Sequence, residues 1–84
     1  MVRPEELIER LRRQPFEPFA VHLSDGRIFE VLYPHNHLVS TTLLILGIPE
    51  ADQGGFIADH FEYLDLSVIT RLEPLTHSTP APSQ

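Results

Sequence analysis

The sequence predicts an α+β domain, in which one N-terminal helix packs on a small, strongly bent, mainly antiparallel sheet of four to five strands. Three observations predict this class. Pro4-Glu5-Glu6 begins a short amphipathic segment, and Phe19–Val31 alternates around Asp25-Gly26 as a β-hairpin does. Two further runs, at residues 38–48 and 68–73, are rich in apolar and β-branched residues.

Composition restricts the kind of protein. At 84 residues the core is small, and such a domain is marginally stable unless oligomerisation, a metal or disulfides help it. The chain has no cysteine, which excludes disulfides and thiolate metal sites. A net charge of −6, with six arginines and no lysine, argues against a general nucleic-acid or anionic-membrane surface. Without a leader-like or membrane-spanning apolar run, we expect a soluble, cytoplasmic protein with no membrane partner.

The first element is a helix over residues 4 to about 13. Pro4 suits the first helical position, and acidic residues near the start and arginines near the end complement the helix dipole. Such a helix is too short to stand alone, so we expect it to lie on the sheet or to close one end of a barrel. Its apolar stripe consists of Leu7, Ile8 and Leu11.

A proline-rich segment, residues 14–19, leads from the helix into the first strand. Pro15 and Pro18 end the helix and favour an extended backbone. Phe16 and Phe19 are the predicted anchors of this segment in the core.

The hairpin offers two registers at Asp25-Gly26. A two-residue loop would place Val21 opposite Glu30 and bury a carboxylate, whereas a three-residue loop with Gly26 in the left-handed conformation places Val21 opposite Phe29. Because burying an unpaired carboxylate costs more than burying a phenyl ring gains, we predict the three-residue loop. The buried face is then Phe19, Val21, Leu23, Phe29 and Val31, and the second, half-exposed face is Ala20, His22, Ile28, Glu30 and Leu32.

Strand-breaking and turn-forming residues at Tyr33–His37 predict a loop after the hairpin. We expect residues 38–48 to form apolar β-structure with a bend at Ser40–Thr42. Within that run Leu43, Leu44, Ile45 and Leu46 are continuous rather than alternating, so both faces are expected to be covered. Only the helix or another subunit can supply the second cover, which makes this run a possible interface.

Residues 49–55 read as an acidic loop. A fourth strand is expected at Phe61–Leu64, a tight turn at residues 65–67, and a fifth strand at Val68–Glu73, ended by Pro74. We place the single domain at residues 1–75 and expect the Ser-, Thr- and Pro-rich residues 76–84 to be a disordered tail.

The order of helix, bent hairpin, apolar strand, loop and two closing strands resembles the Sm-like fold, an SH3-like barrel, including its bacterial RNA-chaperone branch. The similar residues are Val21-x-Leu23 with Asp25-Gly26, and Ile69–Pro74. The resemblance implies ring assembly and RNA binding. Val31 stands where the family has a second glycine and residues 35–37 differ from its nucleotide-binding loop, so no nucleotide-contacting residue is carried over.

The chain is also similar to a group of short uncharacterised bacterial proteins with a QPFxPF segment, an LSDGR turn and a closing RLEP. The matching residues are Gln14–Phe19, Leu23–Arg27 and Arg71–Pro74. This resemblance implies no known activity.

The basic cluster of Arg10, Arg12 and Arg13, extended by Arg3, could contact phosphate or an acidic partner. The plainer interpretation, which we favour, is a solvated helix end in which Glu6 pairs with Arg10 and Glu9 with Arg13. Nearby glutamates cancel much of the positive field.

Other candidate groups give weak signals. His35 and His37 could form part of a zinc or nickel site together with His22, Asp59 and His60. The sequence spacing fixes no third ligand, however. We therefore interpret these residues as surface histidines and predict no metal or cofactor. Asp25 and Gly26 are required by the turn itself. No spacing pairs the remaining carboxylates as acid and base; they are Glu30, Asp59, Glu62 and Asp65. For the aromatic residues we favour core packing or a subunit interface over stacking on nucleic acid; these are Phe56, Phe61 and Tyr63.

No nucleophile–base pair, phosphate loop or cofactor fingerprint is present, so we predict a protein that is not an enzyme. The favoured function is a small protein-interaction or self-assembly module that binds itself or another protein. The alternative is an Sm-like oligomeric RNA-binding regulator, which the negative net charge disfavours.

Overall fold

The computed structural model describes residues 2–75, and it confirms the α+β class. The elements are the helix α1 (Pro4–Leu11) and the strands β1 (Phe19–Leu23), β2 (Ile28–Val31), β3 (His37–Val39), β4 (Leu43–Pro49), β5 (Ala58–Asp65) and β6 (Ile69–Pro74), with a 3₁₀ turn at Leu66–Val68. The tail predicted at residues 76–84 lies outside the described residues. Among residues 2–75 no helix is long and apolar enough to cross a membrane.

The strands form two three-stranded antiparallel sheets rather than one bent sheet of four to five strands, and the described strands do not close into a barrel. The first sheet has the order β2-β1-β6, and the second sheet has the order β3-β4-β5. The bend predicted at Ser40–Thr42 explains much of the difference. Ser40 Oγ accepts the backbone N–H of Leu43 at 2.8 Å, and this turn folds β3 back onto β4 instead of continuing one strand.

The hairpin register is confirmed. Val21 lies opposite Phe29, and Gly26 has a φ of 92°, which is the left-handed conformation that the three-residue loop requires. The N–H of Leu23 donates to the carbonyl of Arg27 at 2.9 Å. On the predicted buried face Val21 is fully buried, and Phe29 is half-buried beside the core.

Ala20 is the exception on the second face, because it is buried instead of half exposed. Strand β1 is the central strand of the first sheet, so Ala20 has Glu30 on one side and Glu73 on the other. Its side chain of one carbon therefore lies between two longer side chains on neighbouring strands. On the same face Ile28, which lies on the edge strand β2, is 56% exposed.

Helix α1 ends earlier than predicted, at Leu11, where the N–H of Arg12 donates to the carbonyl of Ile8 at 3.0 Å. Leu7 is fully buried, Leu11 is half-buried and Ile8 is 38% exposed. The helix therefore packs through a narrower stripe than the sequence predicted.

One hydrophobic core joins the helix and both sheets. Phe19 is 1% exposed, which confirms it as an anchor, and Phe16 packs at the margin of the core with its ring centroid 6.3 Å from that of Phe19. The buried core residues are Val2, Leu7, Phe19, Val21, Leu23, Val31, Leu44, Leu46, Leu64, Leu66 and Ile69.

Candidate functional site

The second sheet has apolar side chains on both of its faces. Directly opposed residues of antiparallel strands point to the same face, and Ile45 is opposed by Leu38 on one side and by Tyr63 on the other. Leu38 and Tyr63 are each 67% exposed, and Phe61 is 49% exposed. We call this surface the outer face; it consists of Leu38, Leu43, Ile45, Phe61 and Tyr63.

The strand pairing divides the continuous apolar run of β4 between the two faces. Leu44 and Leu46 are each 1% exposed and belong to the core, whereas Leu43 and Ile45 are half-buried on the outer face. Of the four residues predicted as a possible interface, two are therefore available to a partner. The described chain leaves Leu38 and Tyr63 two-thirds exposed and so does not supply the second cover that the sequence led us to expect.

The aromatic candidates separate in the structure. Phe61 and Tyr63 lie on the outer face, while Phe56 stacks on His35 with ring centroids 4.6 Å apart and planes 5° apart. His35 in turn stacks on Tyr33. The three aromatic residues named from the sequence therefore do not form one platform.

Strand β5 forms an edge of the second sheet and pairs only with β4 among the described residues. It has 8 residues, so its unpaired side extends over roughly 27 Å. A shift of register between Ile48 and Pro49 marks a bulge near its start. Edge strands of this length are commonly shortened, covered or paired with another chain.

Near the start of β5, His60 lies between two carboxylates that sequence spacing did not combine. Its Nδ1 is 2.7 Å from Asp59 Oδ2, and its Nε2 is 3.1 Å from Glu62 Oε2. The hydrogen bond to Asp59 is the main reason why the pKa of His60 is raised, and the same bond lowers the pKa of Asp59. The cluster gives this edge of the sheet a histidine that carries positive charge over a wider pH range.

The three arginines named as a binding cluster have different surroundings. Arg13 bridges Glu9 at 2.8 Å and Glu17 at 2.9 Å, and these bonds raise the pKa of Arg13. Arg12 is exposed at the end of α1. Arg10 lies over the ring of Phe19, with its guanidinium carbon 5.7 Å from the ring centroid. The predicted pair of Glu9 and Arg13 is confirmed.

The predicted pair of Glu6 and Arg10 does not appear among the described contacts. Glu6 Oε1 instead accepts the backbone N–H of Arg3 at 2.8 Å, at the start of α1. Arg10 borders a groove of about 730 Å³ between α1 and β6. Its Nη1 is buried and has no hydrogen-bond partner among residues 2–75. The groove also contains Arg3, Arg71 and three glutamates, so its charge is mixed.

The histidines of residues 33–37 hold loops in place. In His37, Nε2 lies 2.9 Å from the carbonyl of Tyr33, and Nδ1 accepts the N–H of Gly47 at 3.2 Å. Burial lowers the pKa of His37, so the neutral ring is favoured. Asn36 donates to the carbonyl of Gly55 at 2.7 Å, which ties this loop to the acidic loop before β5. Within residues 2–75, no three His, Asp or Glu side chains are placed to hold a metal ion.

Asp25 and Gly26 close the hairpin. Asp25 Oδ1 accepts the backbone N–H of Arg27 at 3.0 Å, and this bond is the main cause of the lowered pKa of Asp25. In the first sheet His22 Nε2 lies 2.7 Å from Glu73 Oε1, a contact between β1 and β6 that no sequence spacing indicated. Of the carboxylates, Glu30 lies exposed on β2, and Asp65 accepts from Ser67 at the 3₁₀ turn.

Comparison of this chain with protein-family models, with curated proteins and with solved structures finds no match.

Proposed function

We propose that this chain is a non-enzymatic protein-interaction module that works by self-assembly, with the outer face as its contact surface. The observation that carries the proposal is the row of Leu38, Ile45 and Tyr63 across three strands, with two of its members two-thirds exposed. Contiguous exposed apolar patches on small proteins often mark sites of interaction. The isolated domain is also small enough that association would contribute substantially to its stability.

The apolar chemistry of the outer face supports a second copy as the partner, although its area alone is too small for a stable interface. Taking about 150–250 Å² for a whole aromatic side chain, the outer face leaves roughly 350 Å² of side chain in water. A second copy offers an equally apolar, uncharged row, so the contact buries no unpaired charge at its centre. Two such faces bury roughly 700 Å², which is less than the roughly 1,200 Å² of a stable interface, so further contacts must join them.

The test is the solution mass of the full chain, measured by sedimentation equilibrium from micromolar to millimolar concentration. We expect an oligomer, and we expect Leu38→Ser to weaken its association by about tenfold or more, because a buried leucine contributes about 1.5–3 kcal/mol. Ile28→Ser is the matched control, since Ile28 is 56% exposed but lies on the first sheet. A wild-type monomer at every concentration, or an equal effect of both variants, would refute the proposal.

We also propose that the fold is an opened relative of the SH3-like or Sm-like barrel. The order of an N-terminal helix, a bent hairpin and two closing strands supports it, as does the 3₁₀ turn at Leu66–Val68 that carries the chain from the second sheet to the first. Cross-strand NMR contacts that place the strands in another order would contradict it.

The second candidate function is an Sm-like RNA-binding regulator. It is supported by the exposed Arg12 and by the position of Arg10 and Arg13 along the groove between α1 and β6. This candidate predicts a salt-dependent affinity for single-stranded RNA that falls when Arg10, Arg12 and Arg13 are changed to alanine. The absence of RNA binding at low salt would exclude it.

A further inference from the structure

We propose that two copies of the chain pair through the free edges of β5, antiparallel and about a two-fold axis at Phe61, so that the two second sheets become one six-stranded sheet. This inference rests on the proposed self-assembly and specifies its partner and register. The edge is long and unpaired among the described residues, and it borders the exposed aromatic rings of the outer face.

Edge pairing supplies the further contacts that the outer face needs. One outer face is too small for a stable interface, whereas two second sheets joined edge to edge present one outer face of twice the size to another such pair. Edge pairing also satisfies the outward backbone N–H and C=O groups of β5. A contact made only face to face would leave those groups to water.

The side chains of β5 select the register. In a two-fold antiparallel pair each residue must oppose one that points to the same face, so the axis passes through a residue. Near the middle of β5 these residues are Phe61, Glu62 and Tyr63. An axis at Glu62 places that carboxylate directly opposite its own copy, which is destabilising.

An axis at Tyr63 places Phe61 opposite Asp65 and Glu62 opposite Leu64, so two carboxylates per copy would face apolar side chains. An axis at Phe61 instead places the two phenyl rings opposite each other and His60 opposite Glu62 of the other copy. It leaves one carboxylate per copy, that of Asp59 at the bulge, opposite the ring of Tyr63. Only this register brings together aromatic side chains and groups of opposite charge.

The charge around His60 supports this register. Within one chain His60 contacts Asp59 and Glu62, its cross-strand neighbour on β4 is the uncharged Ile48, and Glu50 interacts with Asp59. The neighbouring carboxylates raise the pKa of His60, which favours its cationic form. Two cationic histidines near the axis would reduce the repulsion between two chains that each carry a net charge of −6.

Single-cysteine crosslinking tests the register without background, because the chain has no cysteine. Opposed residues in an antiparallel pair have Cα atoms about 4.5–5.5 Å apart, within the range of a disulfide. We expect Phe61→Cys to form a disulfide-linked dimer under mild oxidation. Tyr63→Cys is the matched control on the same strand and face; in this register its copy lies four residues away, roughly 13 Å, and should not crosslink.

Charge exchange provides a second test that keeps both aromatic rings. His60→Glu opposes two glutamates at each end of the pair and should weaken association by about tenfold, while the double variant His60→Glu with Glu62→Lys should restore it. Circular dichroism of each variant confirms that the fold is retained.

The outcomes separate this inference from the proposed function. A wild-type monomer at every concentration overturns both. An oligomer in which Phe61→Cys crosslinks no faster than Tyr63→Cys, an oligomer of odd copy number, or a double variant that stays dissociated overturns the β5 pairing and leaves self-assembly standing. Selective crosslinking at Phe61 together with recovery in the double variant supports the pairing.

Discussion

Gly47 in β4 is the position at which we expect the smallest substitution to have a large effect. Its N–H donates to the carbonyl of Asn36 at 2.9 Å. A Cβ added there would overlap that carbonyl oxygen and lie 2.9 Å from the Cβ of Asn36. Asn36 has a φ of 71° and is fixed through its side chain to Gly55, so it has little room to withdraw. Gly47→Ala should therefore displace the loop at residues 33–36.

The size of the effect follows from three contributions. Overpacking in a closely packed site costs about 1–3 kcal/mol, and distorting the hydrogen bond to Asn36 costs about 1 kcal/mol. Alanine restricts the unfolded chain and returns about 0.4–1 kcal/mol. We expect Gly47→Ala to lower the free energy of unfolding by about 2–3 kcal/mol, a large part of the roughly 4–12 kcal/mol typical of a domain of this length.

Gly26 is the matched comparison, because glycine is required there by the backbone conformation and not by a neighbouring atom. A Cβ at Gly26 has no atom within 4 Å, but its φ of 92° is unfavourable for residues other than glycine. Gly26→Ala should cost about 1–2 kcal/mol, and Gly26→Asn should cost less, since asparagine tolerates the left-handed region. At Gly47, asparagine should be no better than alanine, because the obstacle there is the neighbouring carbonyl.

Urea denaturation followed by circular dichroism, at one fixed protein concentration, measures the free energy of unfolding of all four variants. The reasoning fails if Gly47→Ala stays within about 0.5 kcal/mol of the wild type, the range of ordinary surface substitutions. It also fails if Gly47→Asn is clearly more stable than Gly47→Ala.

Two further predictions concern pH. Burial lowers the folded-state pKa of His37 below its ordinary value of 6.5, so the unfolded chain binds the proton first and stability should fall as the pH drops from 6.5 through the folded pKa. Denaturation at several pH values should show that the stability of His37→Asn depends less on pH in this range. The exposed control His60→Asn should not show this reduction, because the raised pKa of His60 acts in the opposite direction. The backbone N–H of Ser67 is the main cause of the lowered pKa of Asp65. Asp65→Asn should therefore remove a contribution to stability that is present above pH 3.8 and lost as the pH falls through the folded pKa. A melting temperature that falls with acid in the same way in Asp65→Asn as in the wild type would contradict this.

Sequence reasoning succeeded where a short stretch of chain contains all the determinants. The hairpin register follows from the alternation around Asp25-Gly26, and the bend at Ser40–Thr42 follows from turn-forming side chains. Sequence reasoning was less successful with strand partners. The division into two sheets depends on β3 pairing with β4 rather than with β2, and both pairings are compatible with the same apolar pattern.

By itself, the sequence determined the α+β class, the hairpin and its left-handed glycine, because these depend on backbone preferences and on the alternation of adjacent side chains. Only the tertiary structure decided which side chains of Leu43–Leu46 enter the core, since a continuous apolar run has no period that distinguishes one face from the other. It also decided that Gly47 must be a glycine, because the carbonyl that excludes a side chain belongs to a distant loop. The outer face and the free edge of β5 were also decided by strand pairing, because the choice of partner strands is not contained in the side-chain pattern of any one strand.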